Sequence, residues 1–285
     1  MSEMTEPVTY PKTPAARGET ANSRKREFAA FFEEHGGRYA LGNGSKPHIG
    51  ELSPGCRTCM AGTWSCVYLN GLCTRNCFYC PQDRTIAEEP PARTDDELCF
   101  TSARDYVDYI RHFACEGIGI SGGEPFLAFD RLIEHIRMIR DAFGARPYVW
   151  SYTNGDLATD ERLAQLKQAG LDELRFNISA NAYDLSAVIR AVRHIGTITV
   201  EIPAIPEDVA LLKARLPEME AAGVKHLNIH QLLMNEYNHQ ALKERGYTVT
   251  HADRYLHGRP VLDSELAAFD ILEHAIRTKS RLGIN

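Results

Sequence analysis

The chain has 285 residues, 44% of them hydrophobic and 25% charged, with a formal net charge of −6. It is long and apolar enough for a substantial core, and its charge content is that of a folded protein rather than a disordered one. The acidic balance argues against a nucleic-acid surface, no apolar run reaches the length of a membrane span, and Met1–Lys25 lacks the apolar core of a signal peptide, so the expectation is a soluble, cytoplasmic protein.

Residues 1–22 read as a disordered tail. From Ser23, an N-cap residue followed by Phe28, Phe31, Phe32 and a Gly36 stop predicts a short amphipathic helix. A Gly- and Pro-rich connection up to residue 65 carries Cys56 and Cys59. From residue 66 the chain alternates between short apolar runs and longer segments of helical period. Strands are expected at Cys66–Gly71, Gly117–Ser121, Tyr148–Tyr152, Glu173–Ile178, Ile198–Ile202 and His226–Leu232. Helices are expected at Ser102–Cys115, Leu127–Phe143, Asp160–Ala169, Asp184–His194 and Val209–Ala222, with a last one from Ser264 to about Ser280. Asp95, Asp96 and Glu97 suit a solvated cluster at a helix start. Leu282–Asn285 reads as the beginning of a further strand. Near-apolar strands alternating with helices predict a parallel sheet covered by helices, either partly closed as a barrel or open and doubly wound.

Six of the eight cysteines fall between Cys56 and Cys80, and such clustering points to metal binding or catalysis rather than disulfides. Cys99 and Cys115 stand apart and read as ordinary small residues. Cys73, Cys77 and Cys80 follow the first expected strand with spacing C-x3-C-x2-C. Three thiolates on one tight loop suit three corners of an iron–sulfur cube, leaving one iron without a protein ligand. Zinc stays open on counting alone, because Cys56 and Cys59 with Cys77 and Cys80 would make four ligands. The second expected strand ends in Ser121-Gly122-Gly123-Glu124-Pro125, where glycines allow close approach to the backbone and a carboxylate can accept from an ammonium group.

Together these motifs resemble the radical SAM superfamily, with its CxxxCxxC and GGEP signatures, over roughly Cys66 to the C-terminus. The resemblance implies a partial (β/α)6 barrel, of the TIM type, as a core domain over residues 66–285. It also implies a [4Fe-4S] cluster on Cys73, Cys77 and Cys80, and S-adenosyl-L-methionine as cosubstrate. Gly122, Gly123 and Glu124 would receive the methionine amino group, and Tyr79 would lie against the adenine. Thr153 and Asn154 would sit near the methionyl and ribose groups, Asn177 and Ser179 near ribose or carboxylate, and Ile202 would form an apolar wall before the Pro203/Pro206 turn. An electron donor such as flavodoxin or ferredoxin would complete the system.

Pro54–Met60, Leu227–Leu232 and Asn235–Asn238 are further similar to radical SAM proteins related to pyruvate formate-lyase activating enzyme. That group has an Asn-Glu-rich sixth strand, where this chain has His230-Gln231. Cys56 and Cys59 are candidates for an auxiliary metal site, a zinc staple or two idle thiols. His230, Gln231, Asn235 and Glu236, at the end of the sixth strand, are candidates for substrate contact. Glu201 reads either as a substrate contact or as a salt-bridged barrel residue. His48, His226 and His239 show no ligand spacing. The expected function is hydrogen abstraction from a small-molecule or peptide substrate. The alternatives are an activase installing a glycyl radical on a partner enzyme and a metal-stabilised interaction protein.

Overall fold

The structure, a computed structural model, describes residues 9–40, 46–82, 92–94, 98–250 and 258–285. Seven parallel strands form its centre: β1 (Trp64–Tyr68), β2 (Gly117–Ser121), β3 (Tyr148–Thr153), β4 (Glu173–Phe176), β5 (Thr197–Pro203), β6 (His226–His230) and β7 (Gly283–Ile284). They lie side by side in chain order, each pairing in parallel with the next among β1 to β6, and β7 extending β6. The short pair Ala92–Arg93 and Cys99–Phe100 adds two antiparallel strands beyond β1. Asp95, Asp96 and Glu97 lie outside the described residues.

The helices are α1 (Ala15–Glu34), α2 (Pro54–Ala61), α3 (Ala103–Phe113), α4 (Phe129–Phe143), α5 (Asp160–Ala169), α6 (Ser186–Ala191), α7 (Val209–Ala222), α8 (His239–Glu244) and α9 (Leu262–Arg277). Successive side chains of a strand point to opposite faces, and here the two faces differ in chemistry. Val67, Ile118, Ile120, Val149, Leu174, Phe176, Ile198, Val200 and Leu227 pack outward against Leu132, Ile136, Leu163, Leu166, Leu212 and Leu216 of the helices. The inward positions carry Cys66, Trp150, Glu173, Arg175, Thr199, Glu201 and Asn228.

A partial (β/α)6 barrel results, and α2 shows how far the sheet curls. Thr58 lies against Gly117 on β2, Gly55 against Trp150 on β3 and against Glu173 and Arg175 on β4, and Cys56 against Asn228 on β6. One eight-residue helix reaches all these strands only because the sheet wraps around it. Since Gly117, Trp150 and Glu173 stand near the starts of their strands, α2 is the floor of the barrel.

Two expectations at the N-terminus need correction. Residues 15–22 are helical, not tail: α1 begins at Ala15, because its face is held along α9 by Phe28 stacked on Phe269 at 4.2 Å, by the Arg24–Glu273 pair at 2.6 Å and by Arg17 with Asp263. The Cys56/Cys59 segment is a helix rather than a loop. Ser53 caps it by accepting from the Cys56 amide at 3.1 Å, Pro54 opens it, and Gly62 closes it in the left-handed region.

Candidate active site

Parallel α/β folds build their sites from the loops after the strands, and the loop after β1 carries the three cysteines. Its path is set by backbone contact with the Gly122-Gly123-Glu124 turn after β2. The Gly123 amide donates to the Asn70 carbonyl at 2.8 Å, the Glu124 amide to the Leu72 carbonyl at 2.6 Å, and the Asn70 side chain to the Glu124 carbonyl at 3.2 Å. A Cβ on Gly122 would lie 2.8 Å from the Asn70 carbonyl oxygen, and Gly122 has φ +152°. A Cβ on Gly123 would overlap the Leu72 carbonyl. Both glycines are therefore required by the close approach of the cysteine loop itself.

Glu124 is almost wholly buried. Its carboxylate accepts from the Phe126 amide at 3.1 Å, the Thr153 hydroxyl at 2.9 Å and the Asn154 amide at 2.8 Å, so it ties the β2 turn to the end of β3. Burial outweighs these donors and holds its carboxyl above the usual range.

From β3, Asn154 reaches the cysteine loop. Its side-chain amide donates to the Thr74 hydroxyl at 2.8 Å and lies 3.7 Å from the Cys73 sulfur, which also receives the Arg75 amide at 3.4 Å. Asp156 clamps the same loop, accepting from Arg75 through two contacts at 2.7 and 2.5 Å and from Thr74 at 2.8 Å. The hydrogen bond from Arg75 holds the Asp156 carboxyl below its ordinary range.

The far end of the loop is anchored on the opposite side of the mouth. The Tyr79 hydroxyl meets Ser179 at 2.6 Å and Asn177 at 3.3 Å, both just past β4. Burial, with Cys77 nearby, pushes its phenol well up. The Tyr79 carbonyl accepts from Asn238 at 2.9 Å and the Pro81 carbonyl from Asn235 at 2.7 Å. Gln82 closes the circuit by donating to the Gly122 carbonyl at 3.0 Å.

Inside the barrel lies a charged network. Arg175, buried, bonds Glu173 at 2.9 Å and Glu201 at 2.7 Å and rests over Trp150 at 4.7 Å. Glu201 also accepts from Asn228 at 2.7 Å and meets His230 Nε2 at 2.8 Å. Burial opposes ionisation of Glu201, but Arg175 and then His230 reverse the sign and hold its carboxyl well below the carboxylate range. His230 itself is half-exposed at the mouth.

The three thiols Cys73, Cys77 and Cys80 are partly exposed on one loop and form no disulfide. Soft thiolate donors supplied with N–H groups, as at Cys73, suit an iron–sulfur cluster. Among the described residues, no three His, Cys, Asp or Glu side chains gather around one metal ion. The four-cysteine zinc arrangement is not assembled: Cys56 and Cys59 sit on the floor, whereas Cys77 and Cys80 follow the C-terminal end of β1.

Residues 67–201 match the family model described as the Radical SAM superfamily. Over this stretch, which runs from β1 into β5, the chain is similar to that superfamily. A protein of Methanocaldococcus jannaschii, named as a glycyl-radical enzyme activating enzyme, is 28% identical over 208 residues, spanning 69% of this chain and 54% of that protein. The chain thus spans about half the length of this curated relative. Among solved structures, Streptococcus suis SuiB bound to precursor peptide SuiA superposes with a TM-score of 0.53 at 8% identity, covering 99% of this chain and 57% of SuiB. Native anSMEcpe with bound AdoMet and Cp18Cys peptide gives 0.52 at 14% identity, covering 77% of this chain and 62% of that one. At such identities the likeness is one of fold.

Within residues 67–201, the motif residues Tyr79, Gly122, Gly123, Glu124, Thr153, Asn154, Asn177 and Ser179 come together around the cysteine loop. Ile202 does not join them: it is fully buried in the outer core, on the face opposite Glu201, so its side chain packs between sheet and helices. Gln231 turns to the Val261 carbonyl at 3.1 Å, and Asn235 braces the cysteine loop. Glu236 is exposed. Asn238 and Asp156, which hold the loop at its two ends, were not singled out by sequence reasoning. An Asn in a turn and an Asp after Asn-Gly carry no signal of a contact about 80 residues or more away.

Proposed function

We propose that this enzyme binds a [4Fe-4S] cluster through Cys73, Cys77 and Cys80 and uses S-adenosyl-L-methionine to abstract hydrogen from a small-molecule or peptide substrate at the barrel mouth. The observation that carries this reading is the C-x3-C-x2-C loop locked against Gly122-Gly123-Glu124 at the C-terminal ends of β1 and β2. When bound, the cluster supplies one electron for cleavage of S-adenosyl-L-methionine to methionine and a 5′-deoxyadenosyl radical, which takes hydrogen from substrate. The chain's residues position and insulate that chemistry. The Arg75 and Asn154 amides face the Cys73 sulfur, where N–H groups favour added negative charge. Gly122 and Gly123 offer backbone carbonyls to an ammonium group, the buried Glu124 carboxylate fixes their turn through Phe126, Thr153 and Asn154, and Asn177 and Ser179, set by Tyr79, offer polar contacts to ribose. His230, backed by Glu201, faces the substrate side.

Anaerobic reconstitution tests this. About four irons per chain are expected, with dithionite-driven release of 5′-deoxyadenosine, and both are lost in Cys73→Ser, Cys77→Ser and Cys80→Ser. A reconstituted wild-type chain that takes up no iron and releases no 5′-deoxyadenosine would sink the proposal. Flavodoxin or ferredoxin is the expected electron donor. The name of the Methanocaldococcus relative favours a second reading, installation of a glycyl radical on a partner enzyme. Electron paramagnetic resonance of such a partner, showing or lacking a glycyl radical, separates the two.

A further inference from the structure

Cys56 and Cys59 take no part in the site at the mouth, and their surroundings are unusual for idle thiols. Cys56 is 4% exposed and sits in the first turn of α2, where amide groups point toward the helix N-terminus. Its thiol donates to Asn228 Oδ1 at 3.5 Å, and its sulfur receives Asn228 Nδ2 at 3.2 Å. Arg175 Nη2 lies 3.8 Å away and Asn285 Nδ2 3.9 Å away. Three N–H donors, one of them a guanidinium, thus converge on a sulfur that as a thiol is only a weak acceptor. Cys59 follows one turn later and is the more accessible of the two. Residues i and i+3 of a helix have Cα atoms about 5 Å apart, within the range a disulfide spans.

We propose that Cys56 and Cys59 are a redox-active dithiol that closes to a disulfide beneath the barrel, with Cys59 the entry thiol and Cys56 the resolving one. A low-molecular-weight disulfide, RSSR, is the oxidant. Cys59 sulfur attacks it, forming a Cys59–SR mixed disulfide and releasing RSH. Cys56 thiolate, held by Arg175 and the two amides, then attacks Cys59 sulfur, breaking its bond to SR and releasing a second RSH. Two electrons pass from the pair to RSSR, and the two thiol protons leave on the released thiols. Closure draws the Cys56 sulfur away from Asn228. Asn228 also holds Glu201, and Glu201 holds His230, so the state of the floor is transmitted to the mouth in three contacts. This proposal stands apart from the radical chemistry, because the pair needs no cluster to react.

The test uses the reconstituted protein, held anaerobically in glutathione/glutathione disulfide buffers, acid-quenched, alkylated with N-ethylmaleimide and digested for mass spectrometry. The expected result is a peptide carrying both cysteines unalkylated and lighter by two hydrogens, restored to two alkylated thiols by dithiothreitol, with iron content unchanged. Cys56→Ser should leave Cys59 as a stable glutathione adduct, and Cys59→Ser should leave Cys56 unmodified. Full alkylation of both thiols in every buffer would overturn the proposal. So would bound metal that disappears in the Cys56→Ser/Cys59→Ser double variant, since the pair would then be ligands.

Discussion

Replacing Arg175 by Met removes the charge from the barrel interior while keeping much of the side chain's length. Arg175 is the cation that Glu173 and Glu201 share, at 2.9 and 2.7 Å, and Glu173 is fully buried. Removing one partner of a buried ion pair costs about 3–5 kcal/mol, because the desolvated partner is left uncompensated. Against a typical domain stability of about 5–15 kcal/mol, that is a large share. The pH dependence gives a second signature. In the wild type, burial opposes ionisation of Glu201 but Arg175 lowers its carboxyl overall, so its contribution is present above the ordinary carboxylate range and is lost as pH falls through the lowered folded value. In Arg175→Met, burial acts with less opposition and the sign reverses. The deficit is then greatest at neutral pH and shrinks as the pH falls toward the carboxylate range. Urea denaturation followed by circular dichroism at pH 7 and pH 5 measures both, with Arg175→Met/Glu201→Gln recovering part of the loss. A destabilisation under about 1 kcal/mol, or one that is unchanged between the two pH values, would refute an ion-paired interior.

Gly123→Ala forces the Leu72 carbonyl aside, and with it the backbone entering Cys73; iron uptake on reconstitution should fall sharply while far-UV circular dichroism persists, and wild-type iron content would contradict the close-approach account. Asn154→Ala deletes an N–H donor facing the Cys73 sulfur. The midpoint potential of the reconstituted cluster should become more negative, since such donors favour the reduced state, and an unchanged redox titration would speak against the contact. Asn238→Ala leaves the Tyr79 and Leu233 carbonyls without their side-chain donor. A buried group left unsatisfied costs about 1–3 kcal/mol, so thermal unfolding should come several degrees lower, and an unshifted transition would show the bond to be dispensable.

The order and type of the barrel strands were legible because each outward face is apolar and each helix keeps its period, which is local information. Gly117–Ser121 and Asp160–Ala169 have the expected bounds. The cysteine loop was legible because its spacing is compact and its chemistry specific. What escaped was whatever depends on partners distant in the chain. Glu173, Arg175, Glu201 and Asn228 each look like an isolated polar residue in an apolar run, and only closure of the sheet turns them into one network. The extra turns of α1 carry Arg17, which α9 receives some 240 residues later through Asp263. Two misses had a signal that was present. The Ser53-Pro54 start and Gly62 stop mark α2, and the period of two puts Ile202 on the face away from Glu201.

The tie between Asn238 and Tyr79 has a consequence for how the protein is made. The loop that carries the cysteines leaves the ribosome early, but the side chains that brace its far end, Asn235 and Asn238, are synthesised about 155 residues later. Until β6 has docked and the following turn has folded back, the segment with Cys77 and Cys80 has only the Tyr79 hydroxyl and Gln82 to hold its far end. Folding of the turn after β6 therefore bears directly on how firmly the far end of the cysteine loop is held.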